Sequence, residues 1–386
     1  MRTVTGNIVT PGGVLTGGAV VVDDDGIIAE VSPSRTSAAR ADDLNADGLW
    51  VLPGFVDVHV HGGGGADFMH GTIDAVRQIA RTHARFGTTG LLATTLTASR
   101  EATDRAITAA REVRDTEPGG GEARVLGVHL EGPYICPARR GAQPEAFVRL
   151  PDVDELAHWI ERGGGAVKRI TLAPEMPGAE AVTREAVAAG VTVSVGHTDA
   201  DAAQIEQAID WGAAAATHVF NAMRGLSHRA PGAAGACLAR PEIVCEVIAD
   251  GVHLHPLIVR LIISAKGPGA AVLVTDAIEG TAMPDGVYEL GGQAVRVQDG
   301  TATFADGTLA GSVLTMNRAF TNVLAFAGVS VTEAARLSSG NAARQLNLGN
   351  TLGEIAVGKT ADLVALHPDT GAVEWTLVGG QMAWRR

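Results

Sequence analysis

Eight short apolar runs recur through the middle of the chain, at Val51 to His61, Gly90 to Leu96, Val125 to Leu130, Ile170 to Ala173, Val191 to Val195, Ala213 to Val219, Ile243 to Ile248 and Ala271 to Thr275. The segments between them, such as Thr72 to Phe86, Arg100 to Arg114, Ala181 to Ala189, Ala200 to Trp211 and Pro256 to Ile263, carry helical apolar spacing. Near-continuous apolar runs alternating with helices predict parallel strands buried on both faces. Eight such units predict a (β/α)8 barrel over 53–347, with any chemistry at the C-terminal ends of the strands. A doubly wound sheet is the topological rival, but no Gly-x-Gly-x-x-Gly turn followed by an acidic residue favours it.

The two ends of the chain show a different period. Gly17 to Val31 reads as two strands joined through the Asp25-Gly26 turn, and Gly353 to Lys359, Ala361 to Leu366 and Trp375 to Gln381 read as further short strands. Neither end holds enough strand to stand alone, so residues 1–52 and 348–386 are expected to pair into one small β-sandwich domain flanking the barrel. Gly and Asp turns within Asp285 to Asp306 predict hairpins inserted at about 285–308 after the last barrel strand, and from about Ser312 two more helices close the barrel.

Composition narrows the function. A chain of 386 residues is long enough for an enzyme barrel, and its net charge of -13 without a Lys/Arg-rich block argues against nucleic acid or an anionic membrane as partner. Cys136, Cys237 and Cys245 are odd in number and scattered, which fits a reducing compartment. No run approaches the roughly 18 apolar residues of a membrane span, and the expectation is a cytoplasmic protein.

The candidate chemistry lies at the strand ends. In Phe55-Val56-Asp57-Val58-His59-Val60-His61, alternation sends Asp57, His59 and His61 to one side of the strand, and Gly62 to Gly65 follow as a loop of close approach. Paired imidazoles suit a divalent metal, although His-x-His alone is equally compatible with hydrogen-bonded core histidines. The later strand ends add His129 and Glu131, His197, His218, Asp250 and His253, and Asp276. Burying so many ionisable groups together costs free energy unless a cation compensates. The set therefore points to a metal centre more strongly than any member does.

With these segments in hand, Pro53 to Gly62, His129-Leu130-Glu131-Gly132-Pro133-Tyr134, Gly196-His197-Thr198, Thr217 to Met223, Ala249 to His253, Val274 to Ala277 and Leu309 to Ser312, the chain resembles the amidohydrolase superfamily. Within it the chain is similar to the N-acetylglucosamine-6-phosphate deacetylases. The resemblance covers nearly the whole chain in the family's order. It implies removal of the acetyl group from N-acetylglucosamine 6-phosphate to give glucosamine 6-phosphate and acetate, with an N-acetylgalactosamine-6-phosphate or N-acyl-amino-acid deacetylase as the alternative. It also implies one or two divalent ions per subunit, zinc first, with Fe, Mn or Co as alternatives. Glu131, His197 and His218 match the ligands of the principal site and His59 and His61 those of a second. Glu131 would bridge the two ions and Asp276 would approach the His59 and His61 side. Asp276 matches the acid/base, and His253 a histidine beside the acetyl carbonyl.

Asn221, Ala222 and Arg229 match a phosphate-holding segment, with Arg229 reaching across a homodimer interface in some relatives, and Leu309 and Cys136 fall in segments that line the substrate pocket. The lysines, Lys168, Lys266 and Lys359, lie away from strand C-terminal ends, so a carboxylated-lysine bridge of the dihydroorotase or urease type is not expected. Gln143 departs from the family pattern, which often has histidine there. It can still hydrogen-bond a sugar hydroxyl, though not as a cation. His129 is expected to support the site from the core, Asp57 to orient a ligand histidine, and His70, His83, His158 and His367 to play no part.

Overall fold

Parallel strands β1 (Phe55–Val60), β2 (Thr88–Thr95), β3 (Arg124–Glu131), β4 (Val167–Leu172), β5 (Thr192–Val195), β6 (Ala215–Ala216), β7 (Val244–Val247) and β8 (Ala271–Leu273) are hydrogen-bonded to one another in chain order. This is a computed structural model, and it describes residues 1–34, 41–116 and 118–386. Past the ladder, β8 meets β1 through the Asp276 N–H donating to His59 O at 2.8 Å and the His61 N–H donating to Ala277 O at 2.9 Å. The predicted (β/α)8 barrel is therefore present, closed at its seam by the residues just beyond β8.

Helices α1 (Ile73–Ala84), α2 (Arg100–Arg114), α3 (Val153–Gly163), α4 (Ala179–Ala188), α5 (Ala202–Trp211), α6 (Gly232–Ala239), α7 (Pro256–Lys266) and α8 (Met316–Ala327) surround the strands. The Thr72, Ser99, Asp152 and Asp201 side chains accept from backbone N–H groups at the starts of α1, α2, α3 and α5, satisfying donors that a helix leaves orphaned. The α6 helix was not among the segments predicted. Its sequence, Gly-Ala-Ala-Gly-Ala-Cys-Leu-Ala, is apolar all round and almost entirely buried, so it offers no amphipathic period to read. After α8, a run of helical turns from Val331 to Gln345 packs on the barrel.

Both chain ends enter one seven-stranded sheet, made of Arg2–Thr10, Gly13–Val22, Ile28–Ser32, Leu44–Pro53, Leu363–Leu366, Val373–Val378 and Gln381–Arg385. The sheet wraps a core of its own, in which Val4, Ile8, Val20 and Ile28 from the first strands meet Leu363, Trp375 and Leu377 from the last. Gly353 to Lys359, read as a strand, forms turns instead. Gly353 and Gly358 adopt φ of +86° and +85°, which turn the chain, and the segment bonds Ile28 through the Lys359 carbonyl and the Gly358 N–H. The two units meet at Phe320 of α8, which packs on Phe55 of β1 and Trp50 of the sheet.

The insertion after β8 is a three-stranded antiparallel sheet, Gly286–Leu290, Gln293–Gln298 and Thr301–Thr303. Its apolar face, Leu290, Val295, Val297 and Ala302, packs against Leu96 and Ile278 at the C-terminal end of the barrel. Among the described residues no helix is long and apolar enough to cross a membrane.

Candidate active site

The strand ends break their regular geometry where the candidate ligands stand. His197, His218 and Asp276 adopt φ of 47°, 29° and 50°, and Phe220 and Ala222 follow at 78° and 50°. Left-handed backbone is costly for such side chains and persists only where the surroundings impose it. Each of the ligand-type residues leaves its strand on this turn and aims its side chain at the barrel axis.

They converge on Glu131, at the end of β3. Its Oε1 lies 3.1 Å from His197 Nε2 and 3.0 Å from His218 Nε2, and those two nitrogens are 3.2 Å apart. Its Oε2 lies 3.3 Å from His61 Nε2, which is 3.2 Å from Asp276 Oδ1 and 3.3 Å from His59 Nε2. Two donor sets, Glu131 with His197 and His218, and His59 with His61 and Asp276, thus share one carboxylate. A tetrahedral ion with bonds of about 2.0–2.1 Å holds its ligands about 3.3–3.4 Å apart. The observed spacings match that edge, so the residues present fit a divalent ion on either side of Glu131.

The other ring nitrogens decide which lone pairs face inward. His59 Nδ1 faces Glu246 Oε2 at 2.9 Å, His197 Nδ1 faces Arg139 O at 2.9 Å, and His61 Nδ1 faces Thr94 O at 3.3 Å. Oxygen partners require Nδ1 to donate, which leaves Nε2 as the lone pair directed at the cluster. Without an ion, the same carboxylates favour a second proton on the ring in the cation's place. Burial disfavours the imidazolium, but Asp276 and Glu131 outweigh it and carry His61 up to about 9. Burial likewise opposes the Glu131 carboxylate, yet His59, His197 and His218 hold it well below its ordinary value. The pocket is built to receive positive charge.

A cavity of about 250 Å³ opens over this cluster, and His253, Asn221, Ala222, Gln143 and Leu309 line it with the ligand-type residues. His253 Nδ1 donates to Asp250 Oδ2 at 2.7 Å; burial lowers its pKa, but that contact raises it by more. Gln143 is engaged by protein groups on both ends of its amide: Oε1 accepts the Thr97 N–H at 2.7 Å and Nε2 donates to Glu131 Oε2. It braces the shared carboxylate and also lines the cavity. Cys136 lies outside the cavity, half-buried, and its N–H donates to His197 O at 2.9 Å. Arg229 is not brought to the cavity by this chain. It is exposed, and its Nη1 donates to His228 Nε2 at 2.8 Å.

Asp57 does not orient a histidine ring as expected. It accepts from Thr275 Oγ1 at 2.5 Å and from the His59 N–H at 3.2 Å, so it joins β1 to β8, and burial pushes its pKa up to about 7. His129 behaves as a core residue, with Nδ1 on Val58 O at 3.2 Å and Nε2 on Thr171 Oγ1 at 2.7 Å. The sequence reading missed Glu246 on β7 and Arg169 on β4, which lie 3.2 Å apart inside the barrel. The available signal was a charged residue within an apolar run, as in Ile243-Val244-Cys245-Glu246-Val247-Ile248.

Comparisons with known proteins agree with this geometry. The model of the amidohydrolase family matches residues 50–382. The N-acetylglucosamine-6-phosphate deacetylase of Bacillus subtilis is 40% identical, over 98% of this chain and 95% of that protein. The N-acetylgalactosamine-6-phosphate deacetylase of Escherichia coli O157:H7 is 36% identical, over 93% of each. Among solved structures, an aspartate-to-alanine variant of the Mycobacterium smegmatis N-acetyl-D-glucosamine-6-phosphate deacetylase, in complex with N-acetyl-D-glucosamine-6-phosphate, superposes with a TM-score of 0.92 at 36% identity, over 99% of each chain. The chain belongs to the amidohydrolase family.

Proposed function

We propose that this protein is a metal-dependent hydrolase that releases acetate from N-acetylglucosamine 6-phosphate, leaving glucosamine 6-phosphate. The observation that carries the metal centre is the Glu131 carboxylate, with His197 and His218 on one oxygen and His61 on the other at 3.0–3.3 Å. The substrate rests on the names of relatives that match nearly the full chain. Zinc is the ion we assign, because imidazole and carboxylate donors at tetrahedral spacing suit it. Glu131, His197 and His218 would hold one ion, and His59, His61 and Asp276 a second. A divalent ion in such a site lowers the pKa of water from 15.7 towards 7.

The chain's own residues supply the remaining steps. Asp276, whose Oδ1 faces the cavity beside His61, takes a proton from the attacking water and returns it to the departing nitrogen, because an amine does not leave as its anion. His253, fixed by Asp250, donates to the acetyl oxygen as negative charge grows there. Asn221 and Ala222 border the cavity where the phosphate end of the sugar would lie. Arg229, exposed in this chain, supports a homodimer in which it reaches the phosphate of the partner's site, since a guanidinium fork suits that anion.

Acetate release is measured on N-acetylglucosamine 6-phosphate, N-acetylgalactosamine 6-phosphate and unphosphorylated N-acetylglucosamine. The first is expected to turn over fastest. Equal rates on phosphorylated and unphosphorylated sugars would remove the phosphate role of Arg229, and preference for the galactose epimer would reassign the substrate.

A further inference from the structure

Behind the ligand cluster, the Glu246 side chain rises from β7 with no exposure to solvent, and Arg169 of β4 is 1% exposed. One oxygen of Glu246 serves both ligand sets. Its Oε2 accepts from His59 Nδ1 at 2.9 Å and from the His218 backbone N–H at 3.1 Å. Its Oε1 lies 3.2 Å from Arg169 Nη2, and Arg169 Nη1 donates to Gln345 Oε1 at 3.3 Å. A plug for the barrel interior would not need this arrangement. Buried ion pairs return little net stability after desolvation, and apolar residues of equal volume fill space at least as well. Neither residue lines the cavity, so neither touches substrate.

We propose that Glu246, held in place by Arg169, is a positioning residue for the metal centre. It keeps the proton of His59 on Nδ1, so that Nε2 offers its lone pair, and it ties the backbone at His218 to the same oxygen. Both halves of the centre thereby take their register from one carboxylate. The inference rests on the metal-centre reading above.

Glu246→Gln is the sharpest substitution. Its amide must meet two N–H donors on one side and a guanidinium on the other, and only one of its two ends can accept. Zinc affinity is measured by competition with a chromophoric chelator, ions per chain by mass spectrometry, and kcat and KM by acetate release. The variant is expected to bind zinc about 10–100-fold more weakly, the usual effect of removing a partner that orients a ligand. Its kcat should fall while KM stays within twofold of the parent, because the pocket wall is unchanged. Glu246→Asp provides the second arm. It keeps a carboxylate opposite Arg169 but withdraws it by one methylene from His59, so weaker zinc binding by a variant whose metal-free form melts with the metal-free parent supports the proposal.

Parental zinc affinity and kcat in both variants would overturn it. So would the failure of both variants to fold, which would assign the pair to stability alone. A parent that binds no ion at any chelator concentration would instead defeat the metal-centre reading, a separate result.

Discussion

Replacing Asp276 with Asn tests the proton-transfer step with little disturbance to the fold. Asp276 holds φ of 50°, a left-handed conformation that asparagine tolerates as well as aspartate. Its backbone is tied by an N–H donated to His59 O at 2.8 Å and a carbonyl accepting the Ser312 N–H at 2.7 Å, neither of which involves the side chain. The change therefore removes a titratable oxygen 3.2 Å from His61 Nε2 and little else. Positioned general acid–base groups contribute about 10²–10⁴-fold, so kcat is expected to fall by that factor, about 2.7–5.4 kcal/mol in barrier height. The assay is acetate release at saturating substrate, with bound metal counted on the same sample. If Asp276 acted only as a ligand, the deficit would appear as weaker metal binding and would close when excess zinc was added. A slower variant that stays slow at full metal occupancy supports proton transfer, and a substrate with a more acidic leaving nitrogen should recover part of the rate. Parental kcat with unchanged metal content would refute the assignment.

Chelation should destabilise as well as inactivate: an ion at 100 times its Kd adds about 2.7 kcal/mol to the folded state, so an unchanged melting temperature after chelator treatment would contradict the centre built on Glu131. Gln143→Leu strands the Thr97 N–H and releases Glu131 Oε2, and an unpaired buried donor costs about 1–3 kcal/mol, to be read by urea unfolding together with weaker zinc binding. Asp67 is raised by burial from its ordinary 3.8 to about 6, which costs the native state about 3 kcal/mol once pH exceeds 6 and nothing below 3.8. Asp67→Asn in chelator-treated protein should therefore stabilise increasingly as pH rises from 4 to 7, and a pH-independent difference would contradict the buried-carboxylate account. Phe320→Ala opens a cavity where the barrel meets the end sheet, with an expected loss of about 3–5 kcal/mol in unfolding free energy.

The barrel was legible because its two periods are local. Eight apolar runs and the helices between them can be counted without knowing where any side chain ends up, and ligand-type residues at their ends, such as Glu131, His197 and His218, follow from position alone. What escaped the sequence depends on contacts across the barrel. Glu246 and Arg169 read as isolated charges in apolar strands, since the three-strand separation that pairs them exists only once the sheet closes. Nothing local says that the Gln143 amide bonds Thr97 and Glu131. Gly353 to Lys359 mimics a strand in composition, but the chain turns at the left-handed glycines 353 and 358.

Closure and catalysis fall at the same place. The β8 and β1 strands share no ladder, and the contacts joining them include Asp57 with Thr275, the Asp276 N–H with His59 O, and the His61 and Gly62 N–H groups with Ala277 O. Those residues carry, or directly adjoin, His59, His61 and Asp276, so the second donor set exists only when the seam is shut. Glu131 then links the seam to β3, and through His197 and His218 to the ends of β5 and β6. A cation bound there would reinforce the junction that the strand ladder leaves open and that backbone bonds just beyond β8 close, which is why ion binding and barrel stability should rise and fall together in this protein.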